Sequence, residues 1–269
     1  MPEYTNQPPI SDDTPVWRYF SRAAAVATVT TKTLRLTRVD TFEDPFEGSV
    51  PKQTMDDQVP LFSGGNAARG MMLEYDSLAM YCDIREDRWM RMTRLRRART
   101  RSAHVSSWSI GDESELLYRL YCTEDGKPGV GVSLKSTFGR LRESLRHHDL
   151  YVSPINYRHY HTGGSFTDEM DALMHKRHGF KPECELRILH FNNEHYARLM
   201  PADSDVKDLE PHIYLPWHLM DAVDEIQISP YADEEFEKRV REELSAAAPC
   251  LADRITLSMM NPRRNPAYF

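Results

Sequence analysis

The chain has 269 residues, 40% hydrophobic and 28% charged, with a formal net charge of -7. That is the make-up of one large or two small globular domains with a substantial core. It argues against an overall electrostatic grip on nucleic acid, and no apolar run is long enough to span a bilayer.

Residues 1–14 are polar and proline-rich, without the basic and apolar regions of a signal peptide, and read as a disordered lead-in. From Pro15 to Gly48 the pattern is strand, helix, strand, turn. Val16 to Phe20 is short and aromatic, and Ser21 is placed to cap a helix through the alanines. "TLRLTRV" alternates, with Leu34 and Leu36 inward. "FEDPFEG" is a turn signal.

Met55 to Arg101 reads as mostly helical with a loop at "FSGGN", a helical insertion spanning about 52–101. It carries Arg85, Arg88, Arg91, Arg94, Arg96, Arg97, Arg99 and Arg101. Their spacings partly follow three and four, so several share a helix face. A solvated face and a local nucleic-acid contact through Arg85–Arg101 both fit.

"AHVSSWSI" reads as a strand, and "DESELLYRLYC" as a helix with Asp112 as cap and Glu115 in the capping-box position. "GVGVSL" at 129–134 and "YVSPINYRHY" read as strands, with a helix at "STFGRLRESLRHH" between them. A helix from Thr167 to about His178 leads into "FKPECELRIL". "VDEIQISPYADEEFEKRVREEL" gives strand, turn and a helix capped near Asp233. "RITLSMM" reads as a final strand, and 259–269 as a tail. The fold class expected is α+β: one domain over 15–258 with a strongly bent mixed sheet.

Several features are candidates for chemistry. Arg18, on an apolar strand between Trp17 and Tyr19, needs a partner if buried. That partner is either a carboxylate, Asp44 or Glu47, or a phosphate, which suits the guanidinium fork. In "SSWS", alternation puts Ser107 and Ser109 on one face and Ser106 and Trp108 on the other. In "ECELR", a strand would set Glu183, Glu185 and Arg187 on one face and Cys184, Leu186 and Ile188 on the core side. Two like charges so close raise the question of what positive group faces them. A magnesium site would pool Asp44, Glu47, Glu183 and Glu185.

Cys82, Cys122, Cys184 and Cys250 are scattered, without a CxxC pair. Neither a zinc site nor a disulfide framework is expected, and a reducing cytoplasm fits. The paired histidines, such as His175 and His178, match no zinc spacing and read as surface or hydrogen-bonding residues. GxGxxG, P-loop and GxSxG motifs are absent from the sequence.

The ordered set "RYF", "TLRLTRVDTFEDPFEG", "SSWS" with "DESELLYRLY", "GVGVSL", "KRHGFKPECELRIL" and "ISPYA" resembles a widespread, mostly bacterial family of unknown function, over about Val16 to Leu257. The layout also resembles the ADP-ribosyltransferase superfamily, whose arginine-type branch places an Arg on the first strand, a Ser motif on a middle strand and Glu-x-Glu near the end of the sheet. The middle motif here is "SSW" where that branch has Ser-Thr-Ser.

The resemblance implies an ADP-ribosyltransferase-like fold and cleavage of NAD, as substrate, at its nicotinamide–ribose bond. ADP-ribose would pass to an unidentified acceptor: protein, nucleic acid, a small molecule or water. It assigns Arg18 to the diphosphate or ribose, Ser106 or Ser107 to the ribose, and Tyr19 or Trp108 to stacking on nicotinamide. Glu185 is assigned to the developing positive charge and Glu183 to the acceptor. A toxin or phage-defence role belongs to the same resemblance. A metal-dependent nuclease and a non-catalytic nucleotide-binding or interaction protein are the alternatives.

Overall fold

The structure is a computed structural model, and it describes residues 9–51, 90, 92–159, 166, 170–201, 209–264 and 266. The chain opens with strand β1 (Pro15–Phe20) and helix α1 (Arg22–Thr31), capped by Ser21 on the Ala24 amide. Lys32, at φ 52°, ends the helix in the left-handed conformation and turns the chain into β2 (Thr33–Arg38). Residues 92–102 are helical (α2) and run straight into β3 (Ala103–Ile110). The "FSGGN" loop, Arg85, Arg88 and Arg91 lie outside the described residues.

Helix α3 (Glu115–Tyr121) and a small hairpin, β4 (Thr123–Glu124) and β5 (Lys127–Pro128), follow. Next come β6 (Val132–Thr137), α4 (Phe138–Ser144), β7 (Tyr151–Pro154) and β8 (Asn156–Arg158). After them stand β9 (His175–Arg177), β10 (Glu185–Phe191), α5 (Asn193–Leu199) and β11 (His212–Pro216). The chain closes with α6 (Leu219–Ala222), β12 (Glu225–Ile228), α7 (Glu234–Ala247) and β13 (Ile255–Leu257).

The main sheet has nine strands in the order β11-β2-β3-β1-β6-β12-β13, with β10 and then β7 branching from β3. All its pairs are antiparallel except β12 with β13. The fold is α+β, with a mixed and largely antiparallel sheet. Its core gathers the inward residues of these strands: Val16, Leu34, Leu36, Trp108, Leu134, Leu186, Ile188, Ile226 and Ile228. Helix α7 covers them with Phe236, Val240 and Leu244, four residues apart on one face. Among the described residues no helix is long and apolar enough to cross a membrane.

β3 organises the site because three strands use it. β10 pairs along the whole of one edge, from Glu185↔Ser109 to Phe191↔Ala103. On the other edge β1 holds only Val16↔Ile110 and Trp17↔Ser109, and β2 only Thr37↔Val105 and Arg38↔His104. Between those contacts the sheet forks, and neither ladder reaches Ser106, Ser107 or Trp108. A fork of this kind opens a cleft in the sheet itself.

Several local expectations are corrected. The stretch expected as a helix to His178 contains a 3-10 turn (Asp171–Leu173) and β9, which pairs in parallel with β8; cross-strand pairing overrides local propensity there. Residues 167–169 of that helix lie outside the described residues. The strand expected over 151–160 breaks at Ile155, and its halves join different sheets. The cap of α3 is Ser114, which accepts from the Leu117 amide, and not Asp112. The strand expected at 129 starts at Val132, after Gly129 turns at φ 88°.

Candidate functional site: a cleft at the fork of the sheet

The cleft has a volume of about 600 Å³. Residues of β1, α1, β2, β3 and α3 line it, together with Glu183 and Glu185. The small side chains Ala24, Thr28 and Thr31 present one face of α1 to it at helical spacing.

At one end Arg18 bridges the fork. Nη1 donates to Ser106 Oγ at 2.5 Å and Nη2 to the Arg35 carbonyl of β2 at 3.1 Å. Its guanidinium stands over the Phe20 and Trp108 rings, at 5.0 and 6.0 Å. The carboxylates proposed for it are engaged elsewhere: Asp44 with Arg177 and Glu47 with Arg187. Among the described residues Arg18 has no carboxylate partner. Burial, then the neighbouring Arg35, pulls its pKa down to about 9. The exposed Arg35 side chain also lines the cleft and forms no ion pair among the described residues.

The serines sort by face as alternation requires. Ser106 and Trp108 are buried on the core side, where Trp108 Nε1 donates to Ser106 Oγ at 3.1 Å. Trp108 is 2% exposed and packs edge-on against Trp217, so it is a core residue whose edge meets the cleft. Tyr19 is similarly tied: its ring packs edge-on against Tyr118 and its hydroxyl accepts from the Ser114 amide. Both lie at the cleft wall, Trp108 buried and Tyr19 half-buried.

At the other end stand the carboxylates. Ser107, exposed in the middle of β3, donates to Glu185 Oε1 at 2.6 Å. Ser109 donates to the Glu183 carbonyl at 2.9 Å. The register places Glu185 opposite Ser109 and Leu186 opposite Trp108. Glu185 therefore shares a face with Ser107, while Arg18 shares the opposite face with Ser106 and Trp108. The two ends reach one cleft only because the sheet is open between β1 and β2.

The "ECELR" expectation holds for Glu185, Leu186, Arg187 and Ile188, and fails for its first two residues. Glu183 ends a 3-10 helix (His178–Glu183), and Cys184 is exposed at φ 43° in the left-handed conformation that stops that helix. The strand begins only at Glu185, so Cys184 never reaches the core.

Arg187 is fully buried. Its Nε meets Glu185 Oε1 at 2.9 Å, and its Nη1 meets Glu47 Oε1 at 2.6 Å and the Leu173 carbonyl at 2.5 Å. Lys176 Nζ bridges Glu183 Oε2 at 2.9 Å and Glu185 Oε2 at 2.6 Å, the second approach lying off the hydrogen-bond line. Tyr121 donates to Glu183 Oε1 at 2.9 Å. Burial alone would raise the Glu185 carboxyl, but Arg187 and Lys176 outweigh it and hold the pKa at about 2. These partners answer why two glutamates stand so close: an internal lysine and arginine neutralise them.

Each of the four carboxylates already carries a cationic side chain, and no group of three or more His, Cys, Asp or Glu among the described residues could hold a metal ion.

Sequence reasoning missed Lys176 and the role of the arginine helix. Arg99 is fully buried and donates to the Gly48 carbonyl at 3.0 Å; Arg96 donates to the Pro45 and Glu47 carbonyls. These two arginines face the "DPFEG" turn, which Asp44 closes by accepting from the Phe46 amide. Both are held by protein carbonyls. The turn in turn delivers Glu47 to Arg187.

Gly48 is required there, because its φ is 66° and a Cβ would stand 2.3 Å from Thr100 Cγ2. Gly48→Ala is expected to cost about 2 kcal/mol from the strained conformation and the clash. The check is the urea midpoint, with an unchanged slope.

No family model, no curated protein and no solved structure matches this chain.

Proposed function

We propose that the cleft binds NAD and cleaves its nicotinamide–ribose bond, passing ADP-ribose to an acceptor, in the manner of an ADP-ribosyltransferase. The observation that carries this reading is the polarity of the cleft. One end holds Arg18 and Arg35 with no carboxylate beside them among the described residues; the other holds Glu183 and Glu185. NAD has the matching polarity, a diphosphate at its centre and a cationic nicotinamide at one end.

In this reading Arg18, fixed by Ser106 and the Arg35 carbonyl, takes the diphosphate through its charge. Ser107, exposed and already oriented by Glu185, meets the ribose hydroxyls. Breaking the glycosidic bond builds positive charge on the ribose. The ionised Glu185 lies where that charge develops and stabilises it more than the neutral ribose of the ground state. Formally, Glu47, Glu183 and Glu185 against Lys176 and Arg187 leave one negative charge in the network. That suits a singly charged transition state.

One observation favours a second reading, a nucleotide-binding protein without the reaction: Glu185 is 2% exposed and already holds Ser107, Arg187 and Lys176. Titration of NAD followed by nicotinamide release separates the two. Arg18→Met removes that charge, and is expected to weaken NAD binding by roughly tenfold to a hundredfold in Kd. Calorimetric titration checks it, and unchanged affinity would remove Arg18 from the diphosphate.

A further inference from the structure

Lys176 lies in the candidate site but has no part in the steps above. It sits on β9, which pairs with β8 outside the main sheet, and its ammonium reaches back between Glu183 and Glu185. Its side chain is only 9% exposed. It stands 5.2 Å from the Phe180 ring centroid, so an aromatic face covers the same cation.

We propose that Lys176 permanently fills the cation position between the two glutamates, so that the acceptor in the proposed reaction is an uncharged oxygen nucleophile, water or a hydroxyl, and not an amine or guanidinium group. This inference rests on the NAD-cleaving reading.

The argument is one of charge and space. A cationic acceptor would approach Glu183 for its carboxylate. Glu183 Oε2 already accepts from Lys176 and Oε1 from Tyr121. A second cation there would face the Lys176 ammonium inside a largely buried network, where like charges are least screened. Although burial works against its charge, Glu185 and Glu183 hold the Lys176 ammonium above the ordinary lysine range, so it does not vacate the position by deprotonating.

The single negative charge left in the network is then taken up by the ribose cation. A neutral nucleophile adds no further charge on entry. In the step itself the C1′–N bond breaks and its electron pair leaves with nicotinamide, which departs neutral. A lone pair of the acceptor oxygen forms the new bond to C1′. The proton of that O–H passes to a Glu183 oxygen and on to solvent.

The test supplies wild-type protein with NAD alone, with methanol as an uncharged hydroxyl, and with agmatine as a guanidinium acceptor. The expected products are free ADP-ribose and, with methanol, its methyl glycoside, with no agmatine adduct above background. Which of the first two dominates distinguishes water from a hydroxyl. An agmatine adduct formed by wild type would overturn the inference.

A second arm needs no NAD cleavage: calorimetric titration of agmatine into wild type and Lys176→Met. Wild type is expected not to bind, and the variant to gain roughly tenfold or more in agmatine affinity. Agmatine binding by wild type, or no gain in a variant shown by its thermal melt to be folded, would also overturn it. If wild type releases no nicotinamide under any condition, the NAD reading falls, while the calorimetric arm still decides what Lys176 does. If Lys176→Met does not fold, the wild-type arms decide alone.

Discussion

Glu185→Gln is expected to lower nicotinamide release by on the order of a hundredfold or more, equivalent to about 3 kcal/mol of lost transition-state stabilisation. The amide keeps the shape and can still accept from Ser107 and Arg187, so the ground-state complex changes little. What disappears is the charge that distinguishes the ribose cation from neutral ribose. A release rate equal to wild type would mean that Glu185 is not the group facing C1′.

The same substitution also acts on stability. Glu185 has a folded pKa of about 2 against an ordinary 4.5. A depressed carboxyl contributes stability that is fully present above its unfolded value and is lost as pH falls from about 5 towards 2; the shift corresponds to about 3 kcal/mol. The wild-type melt should therefore fall through that window. The gap between wild type and Glu185→Gln should close as pH approaches 2. Thermal melts from pH 7 to 2 on both proteins check this, and the rate comparison belongs at a temperature where both are folded.

Arg187→Met is expected to be the more damaging change to the fold. It leaves Glu47 and Glu185, each with a 2% exposed side chain, without the guanidinium that joins them. Stranding buried carboxylates in this way costs about 3–5 kcal/mol. For a chain of this size that lowers the midpoint by roughly 10 °C. Glu47→Gln in the same chain should recover part of the loss, because it removes one of the stranded charges. The double variant thus measures the coupling between the two residues. A melt for Arg187→Met within a few degrees of wild type would mean that the pair contributes little net stability.

The sequence by itself determined many of the local elements and, inside strands that had already begun, the sorting of faces. Period-two alternation placed Leu34, Leu36, Leu186 and Ile188 inside and divided Ser106 and Trp108 from Ser107 and Ser109. A side chain's face depends only on the neighbours along its own strand. Ser21 and Asp233 were legible as caps for the same reason: the hydrogen bond they make is local.

Only the tertiary structure decided who meets whom. No spacing in the sequence shows that β1 and β2 share one edge of β3 and part between Ser106 and Trp108. Nor does any spacing show that Arg18 crosses that gap without a carboxylate among the described residues, or that Lys176 returns from a separate two-stranded sheet to lie between Glu183 and Glu185. Cys184 went astray for the same reason. Alternation assumes that the strand has already begun, and its start is set by β10 pairing with β3 at Glu185. A charge in a sequence carries no mark of its partner, because Coulomb attraction acts across space and the chain that folds between two charges can be of any length.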